Sequence, residues 1–126
     1  MNNAFMYHAN NSMTYLDAYT SYSDTSVGCS STTDVIFRQV NSGMNDRGDY
    51  RCLNFNIYGR CERALVRLNA ELLTNADNRR KTACHEVGHS VGLRHGGTVD
   101  CMLNGPVNGP TYTYSSHHID HINARG

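Results

Sequence analysis

The chain has 126 residues, with 11 basic and 11 acidic side chains and no formal net charge. That length sets one domain, residues 1–126, with a single core. The balanced charge excludes a basic nucleic-acid-binding field, and no apolar run is long enough to span a bilayer, so neither nucleic acid nor a membrane is an expected partner.

Ten of the eleven cations are arginine, the exception being Lys81, and Asn, Ser, Thr, Gly and Tyr are abundant. Such a composition reads as a polar, loop-rich chain containing β-structure. The five cysteines include no CxxC pair, which argues against a zinc ribbon or a thioredoxin-like motif. Disulfides are the better reading, and they imply an oxidising compartment and a secreted protein. An odd count leaves one cysteine over. "MNNAFMYHAN" lacks the basic start and apolar core of a signal peptide, so a leader is expected upstream.

In chain order, "AFMYHA" reads as the tail of a helix. "MTYLDAYT" (13–20) half-alternates and is rich in strand formers, so a strand is expected there. "DVIFRQV" (34–40) reads as a buried strand, "NSGMNDRGD" as a turn-rich loop and "YRCLNFN" as a short edge strand. In "ALVRLNA" (64–70), Ala64, Val66, Leu68 and Ala70 share one face, the mark of a strand buried on one side. A helix is expected from about Asp77 to Gly92, with Ala83, Val87 and Val91 recurring every four residues. Arg79, Arg80 and Lys81 near its start oppose the helix dipole and read as solvated. Residues 96–115 read as loop. A last helix is expected from His117 to Ala124, capped by Ser115 or Ser116.

The chemistry concentrates in "HEVGHSVGLRH" (85–95). Positions four apart on a helix differ by about 40° in direction and 6 Å in height, so His85 and His89 share a face and are spaced to grip one ion. Glu86 projects beside that ion instead of onto it. Gly92 has no Cβ, so it can take a left-handed conformation and end the helix. The chain then turns back, and His95 approaches the same ion from a second direction. Three imidazoles leave the fourth tetrahedral position for water, the pattern of a catalytic zinc ion. Glu86 is the candidate general base. Gly88 reads either as a site of close helix packing or as neutral. Surface histidines with a glycine cap are the competing interpretation.

His85, Glu86, His89, Gly92 and His95 resemble the metzincin signature H-E-x-x-H-x-x-G-x-x-H, and "DCML" follows with Met102 in place of the Met-turn methionine. "SSHHIDHINARG" is similar to the C-terminal helix of matrixins, with Asp120 and Ile122 in matching places. "ACHEVGH" and "HIN" resemble the small secreted, snapalysin-like matrixin-type proteases of actinobacteria. The resemblance covers about residues 34–126. It implies a zincin-like α+β fold: a small, twisted, mixed and mostly parallel sheet on the zinc helix, with a Met-turn and a C-terminal helix. It also implies that segment 103–114 walls the pocket for the side chain after the cut. Gly96, after the third ligand, matches no familiar subfamily well. Asn104 stands where a tyrosine ligand would be needed for an astacin. The strand and long helix that normally open a metzincin do not fit before Met13.

Cys84 precedes the first ligand and Cys101 precedes Met102. A Cys84–Cys101 bridge would tie the zinc helix to the Met-turn, closing a loop of about 17 residues worth roughly 3 kcal/mol. Cys52–Cys61 would close "RCLNFNIYGRC", leaving Cys29 as either a free thiol or the partner of a cysteine outside this chain. Asn45, Asp46 and Asp49 offer a calcium site, though an ordinary turn is the preferred reading. His117 and His121 offer a second metal pair, with an exposed helix face preferred. Tyr112 and Tyr114 read equally as cleft lining or as surface aromatics. The expected function is zinc-dependent hydrolysis of peptide bonds in a protein or peptide substrate by a monomer. The alternatives are a non-catalytic zinc-containing binding module and an inactive truncated protease fragment.

Overall fold

A computed structural model describes residues 4, 7–9, 11–14, 35–59, 61–95, 100–103 and 113–125. Among the described residues the fold is a small mixed α+β arrangement of three strands and three helices. Helix α1 contributes the described residues 4, 7–9 and 11–14. It is followed by β1 (Val35–Val40), β2 (Gly48–Phe55), β3 (Cys61–Asn69), α2 (Ala76–Ser90) and α3 (Ser116–Arg125). Met13 and Thr14 are helical where a strand was expected over 13–20. Ala9 and Met13, four residues apart, are both buried, so the helical period places them on one core-facing side. Residues 15–20 lie outside the described residues.

The sheet order is β1-β3-β2. β3 runs parallel to β1 and antiparallel to β2. One pairing of each kind makes the sheet mixed but not mostly parallel. The antiparallel pairing follows from the short turn between β2 and β3, which forces the chain straight back; a parallel pair needs a long crossover. A Cys52–Cys61 disulfide ties the two strands near that turn. Among the described residues β2 is an edge strand.

The alternation expected in β3 is present: Ala64, Val66 and Leu68 are buried while Arg63, Leu65 and Arg67 are partly exposed. Val66 and Leu68 join Val35 and Phe37 of β1, Cys84 and Val87 of α2, and Met102, Tyr114 and Ile122 in one core cluster. Each such aliphatic side chain contributes about 1.5–3 kcal/mol by leaving water. Asn69 departs from the pattern. It sits on the nominally polar face yet is fully buried. Its Nδ2 donates to the carbonyls of Met44 and Asp46, each at 2.9 Å, and its Oδ1 accepts from the Glu71 amide at 3.0 Å. One amide side chain thus holds the loop that enters β2.

Helix α2 begins one residue earlier than expected. Asn75 is its N-cap, with Oδ1 accepting from the Asn78 amide at 2.9 Å, and Asp77 in the first turn suits the dipole. Arg79, Arg80 and Lys81 are not solvated: the arginines are half-buried and Lys81 is buried. Arg79 Nη1 donates to the Leu73 carbonyl at 3.2 Å, a backbone acceptor that the dipole argument does not consider.

Candidate metal centre

The second half of α2 carries the site. His85 and His89 project from one face, and the helix then stops at a Schellman turn. Gly92 has φ 93°. Its amide donates to the His89 carbonyl at 3.0 Å, and the Leu93 amide donates to the Gly88 carbonyl at 2.9 Å. That bond pair with a left-handed glycine is the geometry that reverses the chain at a helix C-terminus. Leu93 is buried against the core and anchors the reversal.

The reversal returns His95 to the other two. One ring nitrogen from each of His85, His89 and His95 lies within 4.8 Å of the others. His85 Nε2 and His89 Nε2 are 3.2 Å apart. A tetrahedron of 2.0–2.1 Å zinc–nitrogen bonds has edges of about 3.3 Å, so this spacing fits a shared ion. The other ring nitrogens are committed to the backbone. His85 Nδ1 is 2.7 Å from the Cys101 carbonyl oxygen and His89 Nδ1 is 2.8 Å from that of Leu93. A carbonyl only accepts, so each Nδ1 carries the proton and each Nε2 presents a lone pair.

Electrostatics favour the same state. Burial, then the neighbouring imidazoles and Lys81, push His85 down to about 4, against the opposing hydrogen bond to Cys101. His89 is lowered chiefly by burial. Both rings are therefore neutral at pH 7, as metal binding requires. Glu86 is buried beside them. Burial, then the nearby Asp49 and Asp46 carboxylates, push it up to about 7, and the Lys81 ammonium pulls it back. The residues present thus fit a three-histidine metal site with a separate, buried carboxylate next to it.

The histidines and Glu86 open into a cleft of about 530 Å³, bordered on the other side by residues 46–50 and floored by Lys81 and Thr82. Tyr50 of β2 lines it, its ring stacked near that of His89 with centroids 6.3 Å apart. Gly48 starts β2 pressed against α2: a Cβ there would stand 2.6 Å from Thr82 Cγ2 and 3.2 Å from Glu86 Cγ.

Beneath the site, Cys84 and Cys101 are bridged. Met102 is fully buried and packs against Gly88, where a Cβ would collide with its Sδ and stand 3.1 Å from Tyr114 Cε1. Close packing is therefore the role of Gly88. Tyr114 is neither cleft lining nor surface aromatic. It is buried, and its hydroxyl donates to the Cys84 carbonyl at 2.8 Å.

The residues missed from sequence are Asp100 and His118. Asp100 is buried, with Oδ1 accepting from the Met102 amide at 2.9 Å and Oδ2 from the Ser115 amide at 2.9 Å. Oδ2 also meets His118 Nδ1 of α3. The pair clamps the turn at Met102 to α3. Asp120 is exposed, whereas Ile122 is buried in the core. Ser115 is the cap of α3, its Oγ accepting from the His118 amide at 3.3 Å. A "D-C-M" triplet and a histidine 18 residues apart carry no spacing signal that pairs them.

Asp49, offered above to calcium, is engaged by the Arg67 guanidinium, and Asn45 and Asp46 are exposed. His117 and His121 are exposed, and among the described residues His85, His89 and His95 form the one ligand group that gathers. Cys29, Gly96, Asn104 and Tyr112 lie outside the described residues, as does most of segment 103–114. No family model matches the chain, and neither does any curated protein.

Proposed function

We propose that the chain is a zinc-dependent endopeptidase of metzincin type. The observation that carries the reading is the conjunction of three converging imidazoles with a buried carboxylate that is not one of the ligands. A purely structural site has no use for a base at Glu86. His85, His89 and His95 would hold the ion. Zinc bound there supplies Lewis acidity, polarising a carbonyl and lowering the pKa of a water toward 7. Glu86 takes a proton from the attacking water and later delivers it to the amine nitrogen of the leaving group. A carboxyl group pushed up to about 7 by burial suits both halves of that transfer.

The edge of β2 borders the same cleft. An extended peptide pairing with residues 50–55 by strand addition would lie across the site, with main-chain hydrogen bonds setting its register. The Gly92 turn, the buried Met102 and the Cys84–Cys101 bridge support the metzincin reading. Two disulfides fit an oxidising environment, and no described helix is long and apolar enough to cross a membrane; secretion is the localisation we infer. The test is zinc content together with casein hydrolysis, with and without chelator, on the wild type and on Glu86→Gln. A protein that holds zinc and cleaves nothing would instead be a zinc-containing binding module.

A further inference from the structure

The cleft holds a tyrosine hydroxyl that the chemistry of Glu86 and the histidines does not use. In the β2–β3 pairing Tyr50 lies opposite Val66, and opposite residues share a face of a sheet. Val66 is fully buried in the core cluster with Cys84 and Val87 of α2, so Tyr50 is on the side of the sheet that α2 covers. Gly48 sets how closely strand and helix approach. A Cβ there would stand 2.6 Å from Thr82 Cγ2 and 3.2 Å from Glu86 Cγ. The step from Gly48 to Tyr50 advances the same face of β2 by about 7 Å, and the step from Glu86 to His89 advances α2 by about 4.5 Å. The tyrosine ring accordingly meets His89, with ring centroids 6.3 Å apart and planes 26° from parallel. Tyr50 is half-buried and lines the cleft. Its hydroxyl has no hydrogen-bond partner among the described residues.

We propose that Tyr50 is an oxyanion donor: its hydroxyl hydrogen-bonds the oxygen of the scissile carbonyl as that oxygen becomes negative. The assignment rests on the zinc-endopeptidase reading above. When water adds to the carbonyl carbon, the π pair of the C=O bond moves onto oxygen. Tyr50 donates a hydrogen bond to that oxygen and keeps its own proton. As the tetrahedral carbon collapses the pair returns, and the C–N bond breaks with the proton that Glu86 delivers. No bond to the tyrosine forms or breaks.

The surroundings select this residue. Asp46, Asp49 and Glu86 place carboxylates around the cleft, so a negative oxygen there needs a donor. Among the described lining residues with donors to offer, Lys81 and Thr82 lie a turn further back along α2, and Arg47 is exposed. Tyr50 stands beside a candidate ligand. A phenol with a pKa of about 10 holds its proton at neutral pH, so it is present as a donor. It is also held in place. The ladder to β3 and the Cys52–Cys61 bridge fix β2, and a donor fixed before the reaction needs no reorganisation during it.

The experiment compares the full zinc-loaded chain with Tyr50→Phe, which removes the hydroxyl and keeps the ring. A quenched-fluorescence casein peptide, centred on a bond that the wild type cuts, gives kcat and KM separately. Tyr50→Phe should lower kcat about 10- to 100-fold with KM within about twofold, the pattern of a charged hydrogen bond made only in the transition state. Binding is the second readout. A phosphinic analogue of the same peptide carries a tetrahedral oxygen in place of the attacked carbonyl oxygen, and it should bind Tyr50→Phe more weakly by about the same factor. Unchanged zinc content and far-UV circular dichroism show that the variant is folded and loaded. Wild-type kcat in Tyr50→Phe, or undiminished affinity for the phosphinic peptide, overturns the proposal and leaves the endopeptidase reading standing. A raised KM at unchanged kcat assigns the hydroxyl to substrate binding and overturns it too. Loss of zinc by Tyr50→Phe assigns the residue to support of His89 and overturns it equally. A wild type that holds zinc but leaves casein and the peptide intact overturns both the proposal and the reading it rests on.

Discussion

His85 Nδ1 stands 2.7 Å from the carbonyl oxygen of Cys101, and Cys101 is itself bonded through sulfur to Cys84, the residue before that histidine. The first candidate ligand is thus oriented by the segment its own neighbour is tied to. The disulfide, the turn at Met102 and the imidazole tautomer form one mechanical unit. Reducing the bridge should therefore loosen the metal site before the sheet. Mild reductant is expected to lower zinc affinity at concentrations that leave far-UV circular dichroism nearly unchanged. Simultaneous loss of both signals would show that the bridge supports the whole domain.

Zinc should bind with one-to-one stoichiometry, and His95→Ala should weaken it by orders of magnitude, because only two of the three protein ligands would remain to hold the ion. Metal analysis after dialysis checks this. A His95→Ala protein that kept tight zinc would remove the third ligand from the account.

Gly88→Ala should destabilise the protein by up to about 2 kcal/mol. Alanine gains about 1 kcal/mol of helix propensity, but overpacking a closed core costs about 1–3 kcal/mol. The new methyl meets Met102, which is fully buried and has no solvent side to move toward. Urea denaturation reads the stability, and zinc titration should show weaker uptake as Met102 is displaced. A variant as stable as wild type would mean that the turn at Met102 yields easily.

The Asp100–His118 clamp gives a pH signature. Burial by itself raises Asp100, but hydrogen bonds from the Ser115 amide, His118 and the Met102 amide outweigh it and hold the carboxyl below its usual range. The unfolded chain therefore takes the proton first. The stabilisation is fully present above the ordinary carboxylate pKa of about 3.9 and is lost as pH falls through the lower folded value. Asp100→Ala leaves the buried His118 side chain and the Met102 and Ser115 amides without their partner, which should cost about 1–3 kcal/mol. Its stability should also fall less steeply than that of wild type between about pH 5 and 2, the range over which a paired carboxylate is titrated. Parallel acid profiles would remove Asp100 from the acid sensitivity.

The convergence of His85, His89 and His95 was legible because its constraint is local: a helical period, then one glycine, sets where three side chains go. The alternation of Ala64, Val66 and Leu68 was legible for the same reason. What sequence did not reveal depends on distant neighbours. Asn69 is buried by the 41–47 loop that it holds, and Lys81 sits in a cleft made with residues 46–50. Tyr114 is a strut because the Cys84 carbonyl happens to face it. Asp100 and His118 have no periodic relation, and only the approach of α3 to the turn at Met102 brings them together.

The central claim is that Glu86 is a base and not a ligand. Casein hydrolysis and zinc content measured side by side on wild type and Glu86→Gln test it most directly. The account predicts a wild type that cleaves casein and stops on chelation. It also predicts a Glu86→Gln protein with the same zinc content and activity lower by about 10²–10⁴-fold or more. Cleavage by Glu86→Gln at the wild-type rate, or loss of its zinc, would contradict it.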